Sequence, residues 1–485
     1  MFGLVRQHPA LKVKSSHSPN SLDRSGCSSY NSYMKKSSPN LILTDIMNYA
    51  LQAIDPYHLV HQSLKITRHT LTINPPGCQP STFNLKDKNL WVYGLGKAAA
   101  PMAKACEELL GDRMAGGMVL TKDGHGLPLE KLRLCEAGHP VPDRRGWSAT
   151  RKMVREWNGH NANNLILFLI SGGGSALLCS PVPGITLRQK KTLTRALLLS
   201  GASIEEINAV RKHLSLVKGG QSARLTYPAQ VIVLGISDVV GDPWDVIASG
   251  PFYPDPSTFN DVKAILIKYR LWNSLPPPIR NHLNRGLRGQ IPDTPKEEDK
   301  IFHRVRHLLL GNNLLALRKA KARAEALGFP TLILTSRWTG DTHEAACAHG
   351  AIIQEVLNSH HPLAPPCCIV SGGETTLKVT GKGKGGRNTE MALVLAREIA
   401  GLKGIRAVCL ATDGTDGPTD AAGAWVNGQT YDKAKRLELS PEAFLERNDS
   451  YSFFQTLKQL ILTGPTRSNV MDVRIILFPA KATFG

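Results

Sequence analysis

Glycine-rich segments occur at three places where a short apolar run leads into residues with helical spacing: residues 94–98, 171–175 and 381–388. Glycines allow backbone amides to approach an anion closely, and the N-terminus of a helix favours negative charge. The residue types and spacing of these loops therefore predict binding of a phosphate or a small anionic substrate. Tight turns without a ligand are the alternative interpretation.

The first loop carries a lysine. Gly94, Gly96 and Ala99 fit the G-x-G-x-x-A pattern of dinucleotide-binding loops, and Lys97 stands inside it. Such a fold also needs an acidic residue about 20 positions on, at the end of the next strand. Asp123 comes later, in a turn-like segment, and matches poorly. The point charge of Lys97 suits a transferable phosphoryl group or an anionic substrate, whereas a solvated lysine in a turn is the alternative.

The second loop places glycines between two serines. Neither serine occupies the nucleophile position of G-x-S-x-G, so a serine hydrolase is not indicated. A row of backbone amides can form an anion nest, although a flexible Gly-Ser turn is the alternative. The predicted binding residues of this loop are Ser171, Gly172, Gly173, Gly174 and Ser175.

The third loop resembles a phosphate loop in which Arg387 and Asn388 stand where lysine and serine or threonine are expected. Helical apolar spacing follows, so Arg387 is predicted to stand at a helix N-terminus, where a guanidinium and free amides converge on phosphate. A second anion nest is predicted after another apolar run. The amides of Gly372 and Gly373 form this nest, and Glu374 beside them is a further binding residue, a weaker candidate for the carboxylate roles given to the aspartates below.

Aspartates cluster in two further loops, as Asp238, Asp242 and Asp245, and as Asp413, Asp416 and Asp420. Mg²⁺ is typically held by one or two carboxylates together with substrate phosphates, so either cluster could supply ligands. We assign Asp242 and Asp413 to the metal and Asp238 to catalysis. Turn formation or helix capping is the alternative for each aspartate.

Apolar runs that alternate with helical patterns predict an α/β fold with largely parallel sheets covered by helices. Ligands bind such sheets at the carboxyl ends of the strands, where the loops above lie. A proline-rich break at residues 361–366 divides the chain. We therefore predict a tail at residues 1–40, a first domain at 41–362 and a second domain at 363–485.

Composition restricts the classes of function. The net charge of +20 could reflect nucleic-acid binding, but aromatic residues make up only 6% of the chain, which favours a solvated basic surface. Apolar runs are too short to cross a membrane. The nine cysteines form no C-x-x-C pair, which indicates a reducing compartment and argues against structural zinc. We expect neither nucleic acid nor membrane as a partner.

The first forty residues are rich in serine and contain one acidic residue, Asp23. This composition is compatible with a mitochondrial transit peptide, but few arginines are present and Pro9 interrupts the apolar stretch. A disordered tail is the alternative. Cytoplasmic and mitochondrial locations both stay open.

Long motifs go beyond these short patterns: SDVVGDPWDVIASGP at residues 237–251 and ATDGTDGPTDAAGA at 411–424, with further matching segments between 94 and 390. Together they resemble the MOFRL-type glycerate kinases, the class II glycerate 2-kinases, from about residue 41 to 477. The resemblance implies two α/β domains with the active site in the interdomain cleft. It also implies transfer of the ATP γ-phosphoryl group to D-glycerate with Mg²⁺, with 2-phosphoglycerate favoured over 3-phosphoglycerate.

The same resemblance identifies Lys97 and Arg387 as the essential lysine and arginine, and it adds Lys218 to the binding residues. The chain departs from the family pattern at residues 464–472, where Arg467 replaces a glycine and Met471 an asparagine. Two alternatives to the kinase are retained. The first is an NAD(P)-dependent oxidoreductase acting on hydroxypyruvate or glycerate, and the second is a basic nucleic-acid-binding protein.

Overall fold

The structure is a computed structural model that describes residues 39–483. The predicted tail therefore lies outside the described residues, except for its last two positions, which begin the first helix. The strands are β1 (Leu64–Ile66), β2 (Thr70–Ile73), β3 (Ser81–Asn84), β4 (Asn89–Leu95), β5 (Met114–Lys122), β6 (Arg133–Ala137), β7 (Asn164–Ile170), β8 (Gln230–Ile236), β9 (Val305–Gly311), β10 (Thr331–Ile333), β11 (Cys367–Gly373), β12 (Arg406–Ala411), β13 (Gly423–Asn427), β14 (Leu460–Ile461) and β15 (Asp472–Phe478).

Helices cover these strands. They are α1 (Pro39–Gln52), α2 (Pro56–Ser63), α3 (Ala99–Leu110), α4 (Arg144–Trp157), α5 (Gly174–Leu177), α6 (Leu187–Leu199), α7 (Ile204–His213), α8 (Gln221–Thr226), α9 (Phe259–Lys268), α10 (Pro277–Leu287), α11 (Asn313–Ala326), α12 (Thr342–Ser359), α13 (Arg387–Glu398), α14 (Thr430–Arg436), α15 (Pro441–Glu446) and α16 (Ser450–Leu457). No helix within the described part of the chain is long and apolar enough to span a membrane.

The first six-stranded sheet has the order β6-β5-β4-β7-β8-β9, and all its pairs are parallel. Its central strand β7 is buried at every position, as expected of a strand covered by helices on both faces. The chain builds outward from β4 in both directions, so the strand order reverses between β4 and β7. Ligands bind α/β sheets at such a switch point, and the loops that carry Lys97 and residues 171–175 both begin there.

The second sheet has the order β10-β11-β15-β12-β13-β14. Only β10 and β11 pair in parallel, because the last strand, β15, inserts between β11 and β12 and runs opposite to both. Strands β13 and β14 continue the antiparallel arrangement. The predicted α/β class with two helix-covered sheets is confirmed, and of these two large sheets only the second contains antiparallel pairs. A separate three-stranded antiparallel sheet joins β1, β2 and β3.

The division between the two large sheets lies earlier than the predicted boundary at 362/363. Strand β10 pairs with β11, and helix α12 after it packs on α13, so both belong with the second sheet. Helix α11 packs on β10 and β11, and α1 packs on α11, β12 and β15. The second domain therefore begins after β9 and includes the first helix. The proline-rich break is a loop that links α12 to β11.

Arg467, the residue in place of a glycine, is exposed and has a φ of 59°. A residue with a Cβ pays about 1–2 kcal/mol to adopt the left-handed conformation, and glycine does not. Glycine offsets part of this gain because it loses more backbone entropy on folding. We expect Arg467→Gly to raise the free energy of unfolding by up to about 1 kcal/mol in chemical denaturation. Arg436→Gly, in the exposed last turn of α14, should lower it. Destabilisation by Arg467→Gly would mean that the guanidinium makes a stabilising contact.

Candidate active site

The β4–α3 loop and the loop after β7 are held together by hydrogen bonds. Gly96 has a φ of 117°, and a Cβ there would lie 2.4 Å from Ser171 Oγ. The amide of Ala98 donates to Ser171 Oγ at 3.0 Å, and the amide of Lys97 donates to the carbonyl of Gly172 at 2.9 Å. Because these contacts fix the backbone on both sides of Lys97, its side chain is directed along residues 171–175, which we call the glycine loop.

The glycine loop also contacts Asp238, which is the second residue after strand β8. A Cβ on Gly172 would lie 2.1 Å from Asp238 Oδ2, so only glycine allows this approach. A Cβ on Gly173 would lie 3.4 Å from Lys97 Cγ and 3.1 Å from the ring of His139. Among the described residues, the amides of Gly172 and Gly173 have no backbone acceptor. These groups can receive an anion beside Lys97 and Asp238.

A cluster of three carboxylates surrounds Lys97, and we call Asp238, Glu374 and Asp413 the carboxylate cluster. Lys97 Nζ lies 3.4 Å from Asp413 Oδ2, which joins the two domains across the cleft. Burial raises the pKa of Asp238 to about 6; Lys97 opposes this rise, and Glu374 and Asp413 add to it. Asp238 therefore exchanges its proton in the range where a general base operates.

His139 lies against this loop, after Gly138 and before a cis peptide bond to Pro140. Burial lowers its pKa to about 4, and the charge of Lys97 acts in the same direction. The imidazole is therefore neutral at neutral pH. His139 is therefore a packed turn residue whose neutral ring lines the cleft.

Arg387 begins α13, as predicted, but its guanidinium is occupied by carboxylates. Its Nε donates to Asp472 Oδ2 at 2.7 Å and one terminal nitrogen donates to Asp472 Oδ1 at 3.0 Å. The other terminal nitrogen lies 2.8 Å from Glu374 Oε1. Burial disfavours the charge of Arg387, but Asp472 and Glu374 outweigh it and raise its pKa. Arg387 thus holds Glu374 at the cleft.

Four predicted binding residues instead position these loops. Asn388 is fully buried and donates to Asp472 Oδ1 and Asp416 Oδ1, so it does not reach the cleft. The amide of Gly372 donates to the carbonyl of Thr335, and a Cβ on it would lie 1.8 Å from Asn313 Oδ1. The residues with such positioning roles are Gly94, Gly372, Gly373 and Asn388.

The two residues assigned to a metal have separate partners. The Asp242 carboxylate accepts a hydrogen bond from Asn312 Nδ2 at 2.7 Å. The Asp413 carboxylate accepts from the amide and the hydroxyl of Thr415 and faces Lys97. Within residues 39–483, no group of three or more His, Cys, Asp or Glu side chains is arranged to hold a metal ion. The buried Asp416 carboxylate accepts hydrogen bonds from the backbone amides of Asn388 and Thr389 and so caps the start of α13.

A cavity of about 1920 Å³ opens beside the carboxylate cluster. The first domain supplies most of its wall, and Thr339, Glu374 and Thr376 from the second domain complete it. Of the predicted site residues, those that line it are Gly173, Gly174, Ser175, Lys218, Asp238 and Glu374. Three further site residues lie directly behind this wall. Lys97 is next to Gly173, Asp413 pairs with Lys97, and Arg387 pairs with Glu374. The predicted cleft between the two domains is therefore present.

Sequence reasoning missed three groups. Asn469 Nδ2 lies 3.5 Å from Asp238 Oδ2, and Asp472 anchors Arg387. Their motif at residues 464–472 was noted only for its departures, although it contains both. The third group is the basic face of α6, which lines the cavity. Its run of lysines and arginines after Thr186 was the available signal.

Comparison with known proteins finds two family matches along the chain. Residues 42–284 match the family described as a domain of unknown function, DUF4147, and residues 367–472 match the MOFRL family. A protein of Pyrococcus horikoshii named glycerate 2-kinase is 39% identical over 90% of this chain and 96% of its own length. An Agrobacterium vitis protein named putative hydroxypyruvate reductase is 40% identical over 80% of this chain and 98% of its own.

A solved structure supports the same relationship. The crystal structure of a glycerate kinase from Thermotoga maritima superposes with a TM-score of 0.80 at 37% identity, covering 92% of this chain and 100% of that one. Both matching family models and the shared architecture extend over the two domains that form the cleft. This chain therefore belongs to the MOFRL-type glycerate kinases, a family of phosphotransferases with an alcohol group as acceptor.

Proposed function

We propose that this chain transfers the γ-phosphoryl group of ATP to D-glycerate and that the product is 2-phosphoglycerate. The observation that carries the proposal is the meeting of Lys97, the Gly172–Gly173 amides and Asp238 at the switch point of the first sheet. Phosphoryl transfer depends on positioning and on stabilisation of charge rather than on covalent chemistry. Two amides and an ammonium beside one carboxylate provide these functions in one place.

Asp238 is proposed as the group that accepts the proton of the glycerate hydroxyl. The hydroxyl oxygen forms a bond to the γ-phosphorus, the bond from that phosphorus to the β,γ-bridging oxygen breaks, and ADP leaves with the bond's electrons. The hydroxyl proton goes to Asp238 Oδ. A carboxylate with a pKa of about 6 is ionised at neutral pH and is more basic than an ordinary aspartate.

Lys97 and the glycine amides are proposed to stabilise the oxygens of the transferring group. Hydrogen-bond donors aimed at developing charge are usually the largest single contribution of an active site. The contact between Lys97 Nζ and Asp413 is long, at 3.4 Å. The ammonium group can therefore turn towards a more negative phosphoryl group. Arg387 contributes indirectly, because it fixes Glu374 at the wall of the cleft.

The site fits Mg²⁺ without three protein ligands, because this ion binds one or two protein carboxylates and takes its other ligands from phosphates and water. Asp413 would hold it, which leaves Asp238 to accept the proton, and Asp242 is turned towards Asn312 instead. When bound, Mg²⁺ would neutralise phosphate charge and orient the phosphates for displacement. Lys97 would then orient Asp413 towards the ion, while Asn469 orients Asp238 towards the hydroxyl.

Hydroxypyruvate reduction is the second candidate, because a close relative bears that name. The G-x-G-x-x-A loop does lie between a strand and a helix, and Asp123 directly follows β5. Both carboxylate oxygens of Asp123 accept hydrogen bonds from Arg145 at 2.7 Å. A dinucleotide needs that carboxylate for its ribose hydroxyls, and Arg145 competes for it. The kinase is therefore the better supported candidate.

Purified full-length chain incubated with D-glycerate, ATP and Mg²⁺ tests the two candidates directly. We expect release of ADP that depends on D-glycerate, and no oxidation of NADH or NADPH with hydroxypyruvate. Asp238→Asn serves as the matched control for contaminating kinases, because it preserves shape but cannot accept the proton. Reduction of hydroxypyruvate without ADP release from D-glycerate would replace the proposal by the oxidoreductase.

The pKa of Asp238 predicts an acidic limb in the pH dependence of activity. Because Asp238 must be ionised to accept a proton, kcat/KM should be half-maximal near pH 6 and fall about tenfold per unit below it. His139, with a pKa of about 4, cannot produce this limb. The measurement is kcat/KM for D-glycerate between pH 5 and 8. A flat profile, or an unchanged limb in Asp238→Asn, would exclude Asp238 as the base.

A further inference from the structure

Two lysine ammonium groups are buried in the wall of the cavity without a carboxylate partner. Lys218 Nζ donates to the carbonyl of Ser175 at 2.9 Å and to that of Ala248 at 3.5 Å. Lys190 Nζ donates to the carbonyls of Arg211 and Leu214 at 3.1 and 3.2 Å. An ammonium has three N–H donors. Each lysine therefore keeps one donor that no protein group takes up.

Arg211 is the third member of what we call the basic trio, Lys190, Arg211 and Lys218. All three line the same cavity, and Arg211 has no carboxylate partner within the described part of the chain. Lys212, the next residue, provides the contrast, since its ammonium lies 3.3 Å from Asp255 Oδ1. The chain thus pairs a neighbouring buried cation with a carboxylate and leaves the trio without one.

Burial and mutual repulsion act on the trio together. Burial lowers the pKa of Lys190 to about 8, and Arg211 lowers it further while the nearby Cys179 thiol opposes this. Burial also lowers the pKa of Lys218, with Lys190, Arg211 and Lys212 adding to the effect. An uncompensated buried charge is expensive, and either loses its proton or takes an anion from solution.

The position of the trio relates it to the glycine loop. Ser175, whose carbonyl holds Lys218, lies two residues after Gly173, which is beside Lys97. The trio therefore lies further along the cavity wall, beyond the proposed site of transfer. Its outer edge is also cationic, because the exposed side chains of Arg188, Lys191 and Arg195 recur on one face of α6 and line the cavity.

We propose that the basic trio binds the non-transferred phosphates of the nucleotide, with the γ-phosphate reaching Lys97. This inference rests on the proposed kinase function. The two non-transferred phosphates carry about two negative charges in ATP and about three in ADP, which suits a group of cations, whereas the carboxylate of glycerate carries only one. If the lysines are neutral and only cap backbone carbonyls, their replacement should leave KM for ATP unchanged, and that result would overturn the proposal.

Steady-state kinetics of Lys190→Met test the proposal in the full-length enzyme. Methionine keeps much of the volume and removes the charge. We expect KM for ATP to rise at least tenfold and KM for D-glycerate to change less than twofold. Lys296→Met is the matched control, because Lys296 also donates to two backbone carbonyls but lies outside the cavity. A rise in KM for D-glycerate alone would assign the trio to the acceptor carboxylate and overturn the proposal.

Calorimetry of ADP binding to the wild-type enzyme gives a readout that needs neither turnover nor a folded variant. An anion bound to the trio raises the pKa of Lys190 from about 8, so binding should take up protons at pH 8.5. Titrations in two buffers of different ionisation enthalpy measure this uptake. Binding without uptake would overturn the proposal. Uptake by an enzyme that does not release ADP from D-glycerate would instead refute the kinase and leave the nucleotide site standing.

Discussion

Replacing Lys97 by alanine is expected to lower kcat about 100–1000-fold while the thermal midpoint barely changes. The activity is lost because the ammonium that faces the transferring group is gone, and removal of such a donor typically costs this much. Thermal stability is little affected because the Lys97–Asp413 ion pair is partly exposed and its single contact is long, at 3.4 Å.

Lys104→Ala is the matched control for this prediction. Lys104 lies on α3, less than two turns after Lys97, and pairs at 3.8 and 3.9 Å with Glu108 and Glu130. It should retain turnover within twofold. Steady-state rates and thermal melts of both variants are the measurement. Near wild-type turnover of a folded Lys97→Ala protein would exclude Lys97 from the reaction.

Substitutions of Arg387 are expected to lower both activity and stability. Arg387→Ala leaves the fully buried Asp472 with only Asn388 and Arg474 as partners, and removal of one partner from a buried ion pair costs about 3 kcal/mol. Arg387→Lys keeps the charge but cannot bind both oxygens of Asp472 and Glu374 at once. We expect turnover to fall about tenfold or more in Arg387→Lys and further in Arg387→Ala.

Arg397→Lys provides the control, since Arg397 lies on the same helix and pairs with Glu398 at the surface. It should be nearly silent in kcat, KM and thermal midpoint. The double variant Lys97→Ala with Arg387→Ala tests whether both groups serve one transition state. In that case the combined loss is much smaller than the product of the single losses. A fully multiplicative loss would contradict the shared cleft, and a silent Arg387→Lys would remove Arg387 from the account.

The first sheet could be predicted from the sequence because its signals are local. Each strand of the parallel sheet is a short apolar run followed by a glycine-rich or polar loop, and the carboxyl ends of parallel strands must meet at one edge. This is why Lys97, the Gly172–Gly173 amides and Asp238 were found together. Their contacts depend on neighbouring strands β4, β7 and β8 and on close approaches that glycine permits.

The second sheet could not be predicted in the same way. Strand β15 comes from the end of the chain and inserts between β11 and β12, and apolar patterning does not report which strands pair. Without β15, the partner of Arg387 was unknown, because Asp472 is its first residue. Arg387 and Asn388 were consequently assigned to phosphate, although Asp472 engages both.

The basic trio was missed for a related reason. Its residues lie on α6, at the end of α7 and just before α8, and only the fold brings them to one wall. The charge of a lysine in the sequence does not reveal whether it is solvated or buried. Lys218 was identified through its motif alone, and neither its burial nor its backbone partners could be read from the chain.

The most direct test of the central claim is identification of the product formed from D-glycerate. Full-length protein is incubated with D-glycerate, ATP and Mg²⁺, and phosphorus and proton NMR spectra follow the reaction. The proposed reaction yields ADP together with a new phosphomonoester whose phosphorus couples to the single proton at C2. Coupling to the two protons at C3 would retain the kinase and change its product to 3-phosphoglycerate. Absence of any phosphoglycerate from a folded protein that binds ADP would contradict the proposed reaction.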